Sequence, residues 1–187
     1  MADLSGNDPV IDLEGVFRHV VDGGCFGILT GEEHGDPMPI ETSEVFMRQT
    51  TSLLAFTGIA FGCFRLRIQA YGRGELPPGR SDAWEVVGEA VIEAPTGELL
   101  LDNIEPVDPA ERPPNLAASE RGRYAIRLSG RNRGLYPDLV APSDPAEWEE
   151  YLLQVAPTET AVGLRPIKSD RLGAHAGRWM TVEPYRR

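Results

Sequence analysis

Residues 64–71 read FRLRIQAY, and this stretch decides the class of fold. Apolar and polar residues alternate along it: Phe64, Leu66, Ile68 and Ala70 against Arg65, Arg67 and Gln69. Because successive side chains of an extended strand point to opposite faces, this period of two predicts a strand with one buried face and one polar face.

The same period of two occurs in two further segments. Residues 123–129 alternate Tyr, Ile and Leu with arginine and serine, and residues 84–94 place apolar side chains opposite three glutamates, Glu85, Glu89 and Glu93. Four other segments are strand-like but less regular: Val10–Val21, Cys25–Thr30, Leu53–Thr57 and Glu98–Asp102.

Glycine (20 residues) and proline (16 residues) are scattered along the whole chain, which is typical of an all-β domain. Turn sequences at residues 22–24 and 95–97 separate neighbouring segments at hairpin length, which indicates antiparallel pairing. No glycine-rich phosphate turn joins a strand to a helix, so a dinucleotide-binding fold is excluded. We expect an all-β fold, an antiparallel two-layer β-sandwich or flattened barrel of about seven to nine strands with little helix.

Residues 143–155 are compatible with two structures. Asp144, Pro145 and Glu147 form a helix-capping pattern, and apolar residues follow at helical spacing. With a period of two, residues 151–155 form a strand instead. We expect one helical turn around Pro145–Trp148 that leads into a strand, since an extended edge completes the sheet.

The chain length suits one domain, which we assign to residues 1–156. Residues 157–187 are predicted to be a basic C-terminal extension that packs in part on this domain, with Trp179 as an anchor because exposed tryptophan is uncommon. Four prolines and the lack of an apolar period predict a long surface loop at residues 103–120.

The formal net charge of −11 argues against nucleic-acid binding, since that affinity comes largely from cationic side chains. No apolar run reaches the roughly 20 residues of a membrane helix, and the first residues lack a secretory signal pattern, so we expect a cytoplasmic protein without membrane contact. An acidic surface either keeps the chain soluble or binds a basic protein partner. The oligomeric state stays open.

Four arginines lie on the polar faces of the predicted strands: Arg65, Arg67, Arg123 and Arg127. On adjacent strands they would form a positive stripe that binds phosphate or carboxylate groups. Alternatively they oppose the glutamates of residues 84–94 in a charged ladder, in which each exposed pair contributes about 0.2–1 kcal/mol. The matching spacing favours the ladder and a solvated face. These arginines, with Glu85, Glu89 and Glu93, are the candidate binding residues.

No motif predicts catalysis, a cofactor or a metal site. Residues 31–36 group three carboxylates with His34 but lack the spacing of a calcium loop or a zinc hydrolase. A Gly-x-Ser-x-Gly elbow is absent, and Cys25 and Cys63 have no nearby histidine, which favours buried thiols. The tryptophans could form a platform for sugars, but their apolar-periodic neighbours favour packing: Trp84, Trp148 and Trp179.

Three segments together resemble a known pattern: AWEVVGEAVIEAPTGEL (83–99), GRYAIRLSGRNRG (122–134) and EEYLLQVAP (149–157). Their succession resembles small acidic bacterial proteins, mostly actinobacterial, that have no assigned activity. The resemblance implies a β-sandwich and carries over no catalytic residue. The chain departs from the pattern at residues 155–157, where those proteins tend to have a tryptophan before the proline.

In size, acidity and all-β character the chain is also similar to bacterial competence-associated nuclease inhibitors. We therefore expect a non-enzymatic binding module, immunity- or inhibitor-like, that presents an acidic surface to a basic protein partner. The alternative is a β-sandwich that binds a small molecule or a carbohydrate through exposed tryptophan and arginine.

Overall fold

The computed structural model describes residues 9–31, 41–49, 52–79, 81–102, 104–108, 110, 112–117, 120–134 and 140–172. Within these ranges the chain forms twelve strands in two sheets, with short 3-10 helices at Ser81–Ala83 and Pro145–Glu147. The strands are β1 (Val10–Asp22), β2 (Cys25–Leu29), β3 (Glu41–Thr42), β4 (Phe46–Arg48), β5 (Ser52–Phe56), β6 (Phe61–Arg73), β7 (Val86–Ala94), β8 (Leu100–Asp102), β9 (Ile104–Pro106), β10 (Gly122–Arg131), β11 (Glu150–Thr158) and β12 (Gly163–Lys168).

The larger sheet has seven strands in the order β12-β7-β10-β11-β6-β1-β9. All its neighbouring strands pair antiparallel except β11 and β6, which run parallel. The prediction of antiparallel pairing throughout is therefore wrong at this pair. Parallel neighbours need a long crossover connection, and residues 74–149 form one that contains β7 and β10.

The smaller sheet has five strands in the order β3-β4-β5-β2-β8. Its apolar side chains and those of the larger sheet form one buried cluster, in which Phe26 of β2 stacks on Phe64 of β6 with ring centroids 5.8 Å apart. The two sheets do not close into a barrel. The fold is therefore the predicted all-β sandwich, with its core between two layers.

The eight segments predicted as strands all contain strands, and four strands were not predicted. Of these, β3, β4 and β9 are too short to show a period, and β9 lies within the expected loop 103–120. Residues 143–158 confirm a helical turn followed by a strand. The Asp144 side chain caps the 3-10 helix by accepting a hydrogen bond from the Ala146 N–H at 2.9 Å.

The fourth strand that was not predicted is β12, which pairs with β7 at the margin of the larger sheet and belongs to the predicted extension. Residues 173–187, with the expected anchor Trp179, lie outside the described residues. Cys25 and Cys63 are half-buried rather than buried. No helical segment within the described ranges has the length and apolar character needed to cross a membrane.

Candidate functional site

The outer face of the seven-stranded sheet carries a row of polar residues in direct register across six strands. From β12 to β1, this polar row consists of Arg165, Glu89, Arg127, Gln154, Gln69 and Glu14. A hydrogen bond joins each member to the next. The polar row therefore links six strands through side chains as well as through the backbone ladder.

Arg127 lies at the centre of the polar row and is only 8 % exposed. Its guanidinium is 2.7 Å from Glu89 Oε1 and donates a hydrogen bond to the Pro77 carbonyl at 2.6 Å. The segment that follows β6 thus passes over the outer face of the sheet and covers this side chain. The expectation of a solvated guanidinium is therefore wrong at Arg127.

Glu89 lies between two arginines, with Arg127 on β10 and Arg165 on β12. Burial opposes its ionisation, but the hydrogen bonds from Arg165 and Arg127 outweigh that effect and lower the pKa of the carboxyl. Both oxygens of Glu89 are engaged by these partners. This carboxylate consequently has a structural role and is not available to a basic partner.

The other candidate arginines also form ion pairs, but only one of them with the predicted strand. Arg123 is 3.7 Å from Glu93 of β7, whereas Arg65 pairs with Glu150 of β11. Arg67 pairs with Glu14 of β1. The ladder prediction is confirmed for Arg123 and Arg127. It is wrong for Arg65 and Arg67, because β11 and β10 separate their strand from β7.

Glu85 precedes β7 and is exposed, and its backbone N–H donates to the Gly130 carbonyl at 2.9 Å. The structure thus does not collect Glu85, Glu89 and Glu93 into one free acidic strip. Glu89 is held by two arginines and Glu93 lies beside a third. A free acidic surface has to be sought elsewhere.

Such a surface runs along the side of the sandwich where both sheets end. β8 is the last strand of the smaller sheet and β9 the last strand of the larger sheet, and a single position separates them. Four carboxylates lie on or beside these two strands, and we refer to them as the acidic edge: Glu98, Asp102, Glu105 and Asp108. All four side chains are exposed.

None of these four carboxylates forms an ion pair with any residue in the ranges that the structure describes. Two large apolar side chains are exposed in the same segment, Leu100 at 40 % and Val107 at 47 %. Among the described residues, no strand pairs with the outer backbone edges of β8 and β9, while just before β8 the Leu99 backbone is bonded to Asn115 and Leu116. The acidic edge therefore combines unpaired negative charge, apolar surface and backbone able to accept another strand.

A buried carboxylate that no motif indicated lies immediately before β11. Glu149 is 2 % exposed, and its Oε2 accepts hydrogen bonds from the Tyr151 hydroxyl at 2.6 Å and the Gly58 N–H at 2.9 Å. Gly58 leaves no room for a Cβ beside this carboxylate. Burial raises the pKa of Glu149, and the hydrogen bonds and the Arg133 charge only partly offset that effect.

The tryptophans divide between two environments. The Trp148 indole N–H donates to the Pro142 carbonyl at 2.9 Å, and the Arg65 guanidinium lies over its ring. Trp84 is half-buried beside a cavity, with Arg131 over its ring at 5.3 Å from the centroid.

The described residues contain no metal-binding group of three or more His, Cys, Asp or Glu side chains. The acidic loop at 32–36 lies outside them.

Comparison with known proteins adds little to this picture. No family model matches the chain, and no curated protein matches it. Among solved structures, the chain is similar to ComJ from Bacillus subtilis, an inhibitor of the DNA-degrading activity of NucA. The TM-score is 0.43 at 6% identity, over 81% of this chain and 99% of ComJ. So slight a likeness establishes neither fold nor partner.

Proposed function

We propose that this chain is a non-enzymatic binding module that presents its acidic edge to a basic protein partner in the cytoplasm. The observation that supports the proposal is the set of exposed, unpaired carboxylates on the last strands of both sheets. Elsewhere on the larger sheet, the glutamates of the polar row are held by arginines. The acidic edge is thus a surface whose charge a partner can complement.

Charge complementarity speeds and orients the encounter, while contacts at the centre of an interface hold the complex. At the acidic edge, Leu100 and Val107 are the exposed apolar side chains suited to that second task. Strand addition to β8 or β9 would add backbone hydrogen bonds. The partner should accordingly offer lysines and arginines around an apolar patch or an extended strand.

A protein that binds nucleic acid carries such a basic surface, because phosphate binding relies on lysine and arginine. An immunity- or nuclease-inhibitor-like role is therefore the specific form of this function that we propose. The acidic edge would cover the phosphate-binding surface of the partner. Inhibition would follow from exclusion of the nucleic acid.

The test compares two variants that remove the same charge. The edge variant combines Glu98→Gln, Asp102→Asn and Glu105→Gln, and the control variant combines Glu85→Gln, Glu93→Gln and Glu159→Gln. Proteins captured from native cytoplasm by the wild-type chain are identified by mass spectrometry, then purified, and their association rates are measured at increasing salt. We expect a basic partner whose association rate falls about tenfold or more in the edge variant and changes little in the control variant.

Three outcomes would contradict the proposal. The first is that no captured protein carries an excess of lysine and arginine. The second is an association rate that salt does not change, since steering by exposed charges is screened within about 10 Å at 0.1 M salt. The third is an equal loss of binding in both variants.

A further inference from the structure

A cavity of about 280 Å³ lies on the outer face of the larger sheet, and none of its lining residues belongs to the acidic edge. Its floor is the centre of the polar row, and its roof is the segment at Pro77, Pro78 and Gly79. The hydrogen bond from Arg127 to the Pro77 carbonyl holds this roof on the sheet. The polar row and the segment that crosses it thus enclose a space next to buried polar groups.

Most polar groups in the cavity already have partners. Arg127 is matched by Glu89, and the Gln154 amide donates to Gln69 Oε1 at 2.9 Å and to the Tyr71 hydroxyl at 3.3 Å. Ser129 is the exception. It lines the cavity and is 3 % exposed, yet its hydroxyl has no hydrogen-bond partner in the part of the chain that the structure describes.

The Ser129 hydroxyl oxygen faces the cavity and is reached by solvent there, so it is a free hydrogen-bonding group and not a desolvated one. A molecule in the cavity could both donate to and accept from this hydroxyl.

The rest of the lining indicates the chemistry of that molecule. Trp84, Val87 and Leu152 provide an apolar wall, while the Ser129 hydroxyl can both donate and accept a hydrogen bond. Because Arg127 already donates to Glu89, to the Pro77 carbonyl and to Gln154, the cavity does not require an anion. Its volume of about 280 Å³ lies just below the usual range for ligand pockets, about 300 to 1,000 Å³, which fits a small ligand.

We propose that this cavity binds a single neutral polyhydroxylated ring, such as one sugar unit, with its C–H face against the apolar wall and a hydroxyl on Ser129. The site is independent of the acidic edge, so either proposal can fail without the other. Trp84 would report on occupancy, because it lines the cavity.

The experiment titrates the full chain with D-glucose, D-galactose, N-acetyl-D-glucosamine and myo-inositol, and in parallel with citrate and inorganic phosphate. Binding is followed by tryptophan fluorescence and by amide chemical shifts. We expect at least one neutral ring to bind at millimolar concentration. The change in tryptophan fluorescence on binding should be lost in Trp84→Phe and kept in Trp148→Phe.

Two variants then locate the site. Ser129→Ala removes the hydroxyl and should weaken binding about two- to tenfold, the usual worth of one hydrogen bond. Gly79→Leu places a side chain above the Arg127 guanidinium, since a Cβ at position 79 would lie 3.4 Å from Arg127 Cζ. This variant should abolish binding while circular dichroism and the melting temperature show a folded chain. The edge variant should bind the ring as the wild type does.

The proposal is overturned if none of the neutral rings binds, or if citrate and phosphate bind the cavity and the rings do not. It is also overturned if a ring binds equally well to the wild type and to a folded Gly79→Leu variant. Should Gly79→Leu fail to fold, the amide chemical shifts of the wild-type chain on addition of the ring test the position of the site. Shift changes confined to regions other than Ser129 and its strand neighbours would overturn the proposal that the ring binds in this cavity.

Discussion

The polar row and the acidic edge use the same acidic side chains in opposite ways. In the polar row, Glu89 has an arginine on each side, and Glu14 is bonded by Arg67 and Gln69. At the acidic edge, no carboxylate has an ion-pair partner among the described residues. The difference follows from position in the sheet. A central strand has a neighbour on each side whose side chains can match its charges, whereas a terminal strand has one neighbour at most.

This comparison separates charges that stabilise the fold from charges that a partner can use. The net charge of −11 does not by itself make that distinction. Changes in the polar row should therefore alter the free energy of unfolding. Changes at the acidic edge should leave the free energy of unfolding almost unchanged and alter association with a partner instead.

The largest expected effect is at Arg127. Arg127→Met leaves the Pro77 carbonyl without its donor and Glu89 with one arginine in place of two, so we expect a loss of about 3 kcal/mol in the free energy of unfolding, as for other buried ion pairs. Urea denaturation measures it. Arg123→Met is the control, and about 1 kcal/mol or less is expected there because its pair is exposed. Equal losses in the two variants would contradict the assignment of Arg127 as a buried residue.

The next largest effect is the pH dependence of stability that Glu149 causes. This carboxylate is buried away from solvent and accepts hydrogen bonds from Tyr151 and Gly58. Its pKa is raised in the folded chain, so the stability that its proton provides is fully present below the ordinary value of 4.5. That stability is lost as the pH rises through the folded-state pKa. The stability of Glu149→Gln relative to the wild type should therefore increase between about pH 5 and pH 8.

Unfolding measured at both pH values checks this expectation at Glu149. Glu150→Gln is a neighbouring control, because Glu150 is only partly buried and is held by Arg65 and Arg131. A difference between Glu149→Gln and the wild type that does not change with pH would show that burial does not raise this pKa.

A smaller effect is expected for the exposed pair of Arg123 and Glu93, which are 40% and 66% exposed. A double-mutant cycle with alanine at each position should give a coupling energy of about 0.3 kcal/mol. The same cycle on Arg127 and Glu89 should give a coupling several times larger. Similar coupling energies would remove the distinction between the covered centre of the outer face and its margin.

The smallest effect on stability is expected at the acidic edge. The variant with Glu98→Gln, Asp102→Asn and Glu105→Gln should unfold within about 0.5 kcal/mol of the wild type, because these side chains have no described ion pair to lose. Thermal unfolding provides the measurement. A loss well above that amount would mean that the acidic edge stabilises the fold, contrary to the role proposed for it.

Much of the architecture could be predicted from alternation alone. The period of two at residues 64–71 and 123–129 places the correct side chains in the core, and Asp144 with Pro145 marks the helical turn before β11. Strands of two or three residues such as β3 and β9 carry no such signal, because so short a segment cannot show a period. Their pairing depends on neighbours that are remote in sequence.

The candidate sites could be predicted only in part. The ladder was correct in kind, and for Arg123 and Arg127 also in partner. The acidic edge had a readable signal, since residues 98–108 contain four acids and no base. For the cavity, the sequence contains no signal beyond Pro77-Pro78-Gly79. These residues indicate a loop but not the strand that the loop covers.

The sequence by itself determined which face of each long strand is apolar and that the chain forms a two-layer β-sandwich, because side-chain alternation is a property of the extended backbone. Only the tertiary structure decided that β11 lies between β6 and β10, that Arg127 is covered, and that Glu89 is held while Glu105 is not. The physical reason is that strand order and loop crossings depend on packing between residues far apart in the chain. Local periodicity contains no information about which of these residues pack together.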